Sequence, residues 1–436
     1  MKIAFIAMSG VRVIDAELLR IGLTLPGFVE RGNVIASLPS LGLLTLAGMT
    51  PPWHEVSYHE VADIRNEPHV PVFADVIAIS TFSAQVREAY ELADRYRALG
   101  IRVVIGGPHV SVLPDEAGAH VDAVIIGEGE IVWPQVLADA EANNLQPQYG
   151  QRGVAFDLAH APLPRVELLD VSRYNRITVQ TARGCPHRCE FCASTPMMTP
   201  GYRQKTADKV LAELDRIRAI WPHPFIEFAD DNTFVNRTYW KNLLPEISKR
   251  KLRWFTETDI SVADDAELLA RMRDAGCAQV LIGLESPTFE ALHGIDAHGW
   301  KSKRFDFYLT AIQRIQSFGM SVNGCFILGL DAHDQSVFNA VDTFVRESDL
   351  TEVQVTVQTA FPGTKLYDRL LQTNRLIEPT NWNLCTLFDV NYHPAKMTAT
   401  ELRDGFRGLV SILYSQERTD QRRRRFKELR RVRRVA

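Results

Sequence analysis

Continuous apolar runs alternate with amphipathic stretches along most of this chain, a rhythm that restricts the fold to helices packed on parallel sheets. In the N-terminal third the runs are Lys2–Met8, His54–Val61, Val76–Ser80, Ile101–Ile105 and Val121–Ile126. Ala84–Leu99 carries Val86, Ala89, Leu92, Ala93 and Tyr96 at helical spacing, and Gly100 ends it. Ser40–Met49 also reads as helix. The strands are apolar throughout, as in parallel sheets covered on both faces. Residues 1–142 are therefore expected to form a Rossmann-like α/β domain.

The pattern loosens over 143–174, where Gln146, Pro147 and Gln148 precede Ala161-Pro162-Leu163-Pro164, and this segment reads as a linker. A second series follows, with strands at Ile177–Thr181, Phe225–Phe228, Arg253–Thr256, Gln279–Gly283, Ser321–Leu328 and Glu352–Gln358. Helical stretches lie between them, notably Ala207–Ile220, Asp265–Ala275, Phe307–Phe318 and Asp334–Glu347. Six such units within 175–393 suit a partial (β/α)6 barrel of TIM type, open at one side, better than a closed eightfold one. Residues 394–436 read as a short helical C-terminal extension ending in a basic tail. The expected class is α/β, with two domains in 436 residues.

Composition excludes several roles. No run of about 18 apolar residues is present, so a membrane-spanning helix is not expected. Met1–Met8 has a brief apolar stretch, a single lysine as its basic region and no small-residue cleavage site, and reads as a first strand of a cytoplasmic protein. The net charge of −4 argues against wholesale nucleic-acid binding. The ten basic residues between Arg418 and Arg434 read first as a solvated helix, and second as a patch for phosphates or an acidic partner.

In open α/β sheets ligands sit beyond the carboxyl ends of the strands. Here those ends are Met8-Ser9-Gly10, Ser80-Thr81-Phe82-Ser83, Gly106-Gly107-Pro108-His109 and Gly127-Glu128-Gly129-Glu130. Their small residues would let a ligand approach the backbone. No G-x-G-x-x-G follows the first strand, so a dinucleotide is the poorer ligand.

Three of the six cysteines crowd into Cys185-Pro-His-Arg-Cys189-Glu-Phe-Cys192, directly after the first strand of the second series. Cys277, Cys325 and Cys385 are scattered among apolar neighbours, as core residues are. Thiols spaced C-x3-C-x2-C suit a soft metal centre. Structural zinc would want a fourth Cys or His nearby, and His187 is wedged between two of the thiols. A cubane cluster usually takes four thiolates, so three leave one iron open to a small molecule.

The motif, its place after a strand, and Phe191 before the third cysteine resemble the radical S-adenosylmethionine superfamily. The segments Leu38-Pro-Ser-Leu-Gly42, Gly106-Gly-Pro-His109, Gly127-Glu-Gly-Glu130, Phe228-Ala-Asp-Asp-Asn232, Gly283-Leu-Glu-Ser286 and Phe361-Pro-Gly-Thr364 resemble its subgroup with an N-terminal cobalamin-binding domain. The resemblance implies a [4Fe–4S] cluster on Cys185, Cys189 and Cys192, with S-adenosylmethionine chelating the open iron and yielding a 5′-deoxyadenosyl radical on reduction. It places Phe191, Asp230, Asp231, Glu285, Ser286, Gly329 and Gln358 around S-adenosylmethionine. Helix capping is the plainer role for Asp231 or Asn232 and for Glu285 and Ser286, and a core strand with its turn the plainer role for Gly324–Gly329. Thr256, Glu257 and Thr258 point to the same mouth without an assigned role.

Cobalamin is implied beside Ser9, Ser80, Thr81, Gly106, Gly107, His109, Gly127 and Glu128. No Asp-x-His-x-x-Gly stands after the first strand, and His54, His59 and His109 lack that context, so cobalt is expected without a protein histidine ligand. The implied activity is methylation of an unactivated carbon or phosphorus of a small molecule, with an external electron donor such as flavodoxin or ferredoxin. Radical cyclisation or rearrangement and methylthiotransfer are the alternatives; residues 1–184 contain no cysteine for the second cluster that methylthiotransfer would want. A non-enzymatic cobalamin sensor would leave the three thiols together with Asp230, Asp231 and Glu285 without a purpose.

Overall fold

A computed structural model of the chain describes residues 1–21, 38–66, 73–194 and 201–435. Its first sheet contains β1 (Lys2–Met8), β2 (Glu55–Val61), β3 (Val76–Ser80), β4 (Arg102–Gly106), β5 (Ala123–Ile126) and β6 (Gln148–Gly150). All pair in parallel in the order β2-β1-β3-β4-β5-β6. The order reverses at β1, which places a topological switch point at its carboxyl end. Strand β6 lies inside the segment read as a linker. Its three residues are too few to carry an apolar run, and only Tyr149 among them is buried.

The second sheet is also wholly parallel. It contains β7 (Ile177–Val179), β10 (Phe225–Phe228), β11 (Arg253–Thr258), β12 (Cys277–Glu285), β13 (Ser321–Leu328) and β14 (Glu352–Val357), in the order β14-β13-β12-β11-β10-β7. Six strands with helices outside make the open partial barrel that the sequence implies. Strand β7 is shorter than the apolar pattern suggests, because the chain leaves the sheet where Thr181 and Ala182 turn to bond Asp230. A two-residue ladder, β8 (Ala182–Arg183) with β9 (Arg203–Gln204), flanks the cysteine loop.

The outward faces of the barrel strands and the inward faces of the helices form one core. Trp240, Trp254 and Phe228 stack at its centre, their ring centroids 5.2–6.3 Å apart. Such aromatics remove large areas from water and anchor helix Arg237–Lys249 to β10 and β11. Helices Ala399–Leu413 and Gln416–Val435 close the chain. The basic tail is a docked helix: Arg423 pairs with Glu352, Arg418 with Asp342 and Arg425 with Asp349 on the barrel. Among the described residues no helix is long and apolar enough to cross a membrane.

The carboxyl ends of the two sheets face each other across polar bridges. Asp389, beyond β14, accepts the backbone N–H groups of Ile14 and Asp15. Tyr174 donates to Glu60 at the end of β2 over 2.7 Å. Glu128 takes both ends of the Arg203 guanidinium (2.6 and 2.9 Å) and is 3.2 Å from Arg183, which also pairs with Glu130.

Candidate active site

Cys185, Cys189 and Cys192 stand on the loop that leaves β8, each partly buried and unbridged. Gly184, at φ +95°, begins the loop. A Cβ there would lie 2.1 Å from the Gly201 carbonyl oxygen, so no other residue fits. Asp231 at the end of β10 accepts the Gly184 N–H over 2.7 Å. Arg188 adopts φ +51°, which folds the loop back so that the Glu190 N–H bonds Ile295 and the Cys192 N–H bonds Cys189.

Burial is the chief cause that raises all three thiols, Cys185 to about 11 and Cys189 to about 12; for Cys185 and Cys189 the other sulfurs of the set add to it. Neutral thiols are favoured until a metal displaces their protons. Among the described residues no three Cys, His, Asp or Glu side chains gather about one point for a single ion. A cubane fits this donor set, because its thiolates bind separate irons and stand apart.

Other polar groups crowd the same mouth. Lys301, which is buried, donates to Glu285 over 2.6 Å and to the Gly283 carbonyl over 2.9 Å. Burial opposes its charge, yet Glu285 and Cys189 beside it keep the ammonium above its ordinary range. Glu285 itself has φ +64° at a register shift between β12 and β13, an uncommon conformation that turns its carboxylate to Lys301. His187 stacks near Trp300 at 4.3 Å and bonds Asp259 over 3.1 Å. Burial would raise Asp259, but hydrogen bonds from His187, Ser261 and Asn232 hold it below the carboxylate range.

The remaining residues named from sequence occupy distinct positions. Asp230 is completely buried and accepts Thr181 N–H (2.6 Å), Ala182 N–H (2.9 Å) and the Thr181 hydroxyl, which fixes the root of the cysteine loop. Ser286 is within 3.0 Å of both Thr288 and His333. Gly329 leaves room for Tyr392, whose hydroxyl donates to its carbonyl. Gln358 is 2% exposed with no partner for its Oε1. Phe191 packs between the barrel core and the Leu366–Tyr392 cluster.

On the first sheet, Ser9, Ser80, Thr81, Gly106, Gly107, Gly127 and Glu128 all lie at the carboxyl edge. Two of these glycines answer to the backbone: Cβ atoms at Gly107 (φ +127°) and Gly127 (φ +84°) would sit 2.7 Å from the carbonyl oxygens of Thr81 and Gln151. His109 is buried with both ring nitrogens engaged, by Ser83 at 3.0 Å and Glu116 at 3.2 Å, and its ring meets Trp382 edge-on. It offers no free nitrogen to a cobalt ion. Glu128 is committed to Arg203 and Arg183. The edge nevertheless suits a large planar ligand with amide arms. Phe82 is 58% exposed there, and Gln85, 1% exposed, gives its amide N–H to Ser9 while its Oε1 has no partner. Lys301, Asp259 and Gln85 escaped sequence reasoning because each lies outside a recognisable motif.

Comparison with known proteins decides the family. The Radical SAM superfamily profile matches residues 179–343, and the B12 binding domain profile matches residues 34–137. The chain belongs to the B12-binding group of the radical S-adenosylmethionine superfamily. It is 28% identical over 361 residues to the hopanoid C-2 methylase of Rhodopseudomonas palustris, covering 80% of this chain and 67% of that protein. It is 25% identical over 399 residues to the bacteriochlorophyllide d C-12(1)-methyltransferase of Chlorobaculum tepidum, covering 88% and 84%. The fold matches that of the radical S-adenosylmethionine methyltransferase TsrM of Kitasatospora setae, whose structure holds cobalamin and a [4Fe–4S] cluster. The TM-score is 0.68 at 14% identity, over 95% of this chain and 89% of that one.

Proposed function

We propose that this radical S-adenosylmethionine enzyme is a cobalamin-dependent methyltransferase acting on an unactivated carbon or phosphorus of a small molecule. The observation that carries the reading is the apposition of two ligand-binding edges. The cysteine loop leaves the barrel through Arg183, and Arg183 is paired with Glu128 and Glu130 on the carboxyl edge of the first sheet. A cluster on the loop and a corrinoid on that edge would therefore share one cleft.

Cys185, Cys189 and Cys192 would hold the cluster. Asp231, Glu285, Ser286, Lys301 and Gln358 would surround S-adenosylmethionine, and Ser80, Phe82, Gln85 and Gly106 would face the corrinoid. When bound, these groups supply one-electron cleavage of S-adenosylmethionine and a cobalt-carried methyl group. The chain's own part is positional and electrostatic. Asp230 and Asp231 fix the root and first turn of the cysteine loop through its N–H groups. Lys301 offsets negative charge beside Cys189. The bridges at Glu60, Glu128 and Asp389 join the two carboxyl edges that border the cleft. An external one-electron donor of the flavodoxin or ferredoxin kind belongs to the proposal, and the exposed Arg188 on the cysteine loop suits an acidic donor.

The test is anaerobic reconstitution with iron, sulfide and hydroxocobalamin, followed by reduction with S-adenosylmethionine carrying a trideuterated methyl. Mass spectrometry should find trideuteromethyl on the corrinoid and 5′-deoxyadenosine in solution. 5′-Deoxyadenosine with unlabelled corrinoid would refute cobalt-carried methyl transfer.

A further inference from the structure

Deep in the barrel, Glu257, Leu281, Cys325 and Gln354 retain accessible surface while their strand neighbours Thr256, Ile282, Phe326 and Val355 are buried against the helices. Alternation along a strand sends these two sets to opposite faces, so the accessible set lines an internal lumen. Three amides of that lumen wall are almost wholly buried and incompletely bonded: Gln279 Nε2, both side-chain ends of Asn323, and Gln358 Oε1 have no hydrogen-bond partner in the protein. Orphaned buried amides are rare, and each costs free energy unless a ligand or water completes it.

The carboxylate of Glu257 has no hydrogen bond or ion pair among the described residues, and Arg176 compensates its charge only in part. Glu227 is answered by Arg176, and Glu285 by Lys301. Asp231 takes the Gly184 N–H. Glu257 is left facing Glu227 and Asp231, with Arg176 already engaged. Burial, then those two carboxylates, raise it to about 7. Glu257 pairs in register with Leu281, four residues before Glu285 on β12, so it lies below the groups placed beside S-adenosylmethionine.

We propose that Glu257 is the substrate-anchoring carboxylate, and that the substrate carries a cationic nitrogen (an amine, amidine or guanidine) seated in the lumen against it, with the unpartnered amide of Asn323, level with it in the sheet register, completing its polar contacts. The enzyme is thereby directed to a small polar cation rather than to a hydrocarbon. This inference rests on the reading of the barrel as the reaction chamber.

The test uses the reconstituted holoenzyme with S-adenosylhomocysteine, which blocks turnover, titrated with n-butylammonium and with n-butanol by saturation-transfer NMR. A charge-assisted hydrogen bond is worth about 1.5–3 kcal/mol, so the ammonium should bind roughly 10- to 100-fold more tightly than the alcohol. Glu257→Gln should cut that preference to below about threefold, and Glu257→Asp should keep most of it. Cluster absorbance and S-adenosylhomocysteine affinity should stay unchanged in both. No preference in the native protein, or a preference intact in Glu257→Gln, would overturn the assignment. So would a tenfold loss of S-adenosylhomocysteine affinity in Glu257→Gln, since the carboxylate would then serve the nucleoside. Failure of the native protein to assemble a cluster would instead refute the reading on which the inference rests.

Discussion

Asp230 offers a quantitative test of what holds the cysteine loop. Its carboxylate is buried beneath that loop and accepts three hydrogen bonds from Thr181 and Ala182. Burial, partly opposed by these bonds, raises it from 3.8 to about 6. The folded protein therefore binds a proton more readily than the unfolded chain between those values. Stability falls as pH rises through that window and is flat above it. Two units correspond to about 3 kcal/mol in total, of which roughly 1.5 falls between pH 5 and pH 7.5.

Asp230→Asn keeps acceptors for the two N–H groups and removes the charge, so it should lack this pH-dependent loss. Relative to the native protein it should gain about 1–2 kcal/mol on going from pH 5 to pH 7.5. Asp230→Ala leaves three buried donors without acceptors and should lie about 2–5 kcal/mol below Asp230→Asn. Urea unfolding of the metal-free protein, followed by fluorescence of the buried Trp240 and Trp254, reads both differences. Parallel pH profiles for the native protein and Asp230→Asn would show that the Asp230 carboxylate titrates alike in the folded and unfolded chain. A tenfold loss of S-adenosylmethionine affinity at unchanged stability would make Asp230 a ligand contact instead.

Two further substitutions test the site's framework. Gly184→Ala should lower reconstituted iron content at least severalfold, because a Cβ there collides with the Gly201 backbone; full cluster occupancy would refute that constraint. A double-mutant cycle of Glu128→Gln with Arg203→Met should give a coupling of about 1–3 kcal/mol in urea unfolding; additivity would show that the bridge does not join the domains.

The sequence foretold the elements well where burial is two-sided. Val76–Ser80, Phe225–Phe228 and Ser321–Leu328 are strands with the boundaries that their apolar runs give. It failed at β6, a three-residue strand in which only Tyr149 is buried. It also stopped β12 short, because Glu285 continues the strand past a register shift in a left-handed conformation that no local pattern encodes. The cysteine loop was legible because its chemistry is compressed into eight residues. Lys301 was not, since a charge inside a barrel looks in sequence like a charge on its surface, and Glu257 was placed at the mouth without a role for the same reason. The engagement of His109 by Ser83 and Glu116, and of Glu128 by Arg203, depends on contacts between distant segments, which one sequence does not disclose.

The proposed chemistry needs a three-thiolate cluster and a corrinoid together in one cleft. Electron paramagnetic resonance of the anaerobically reconstituted, reduced protein, recorded before and after S-adenosylmethionine is added, tests it most directly. The proposed site requires a [4Fe–4S]1+ signal that changes on S-adenosylmethionine binding, in protein that also retains about one corrinoid per chain. It requires loss of that signal in Cys189→Ala. A folded protein that assembles no such cluster, or one whose signal ignores S-adenosylmethionine, would contradict it.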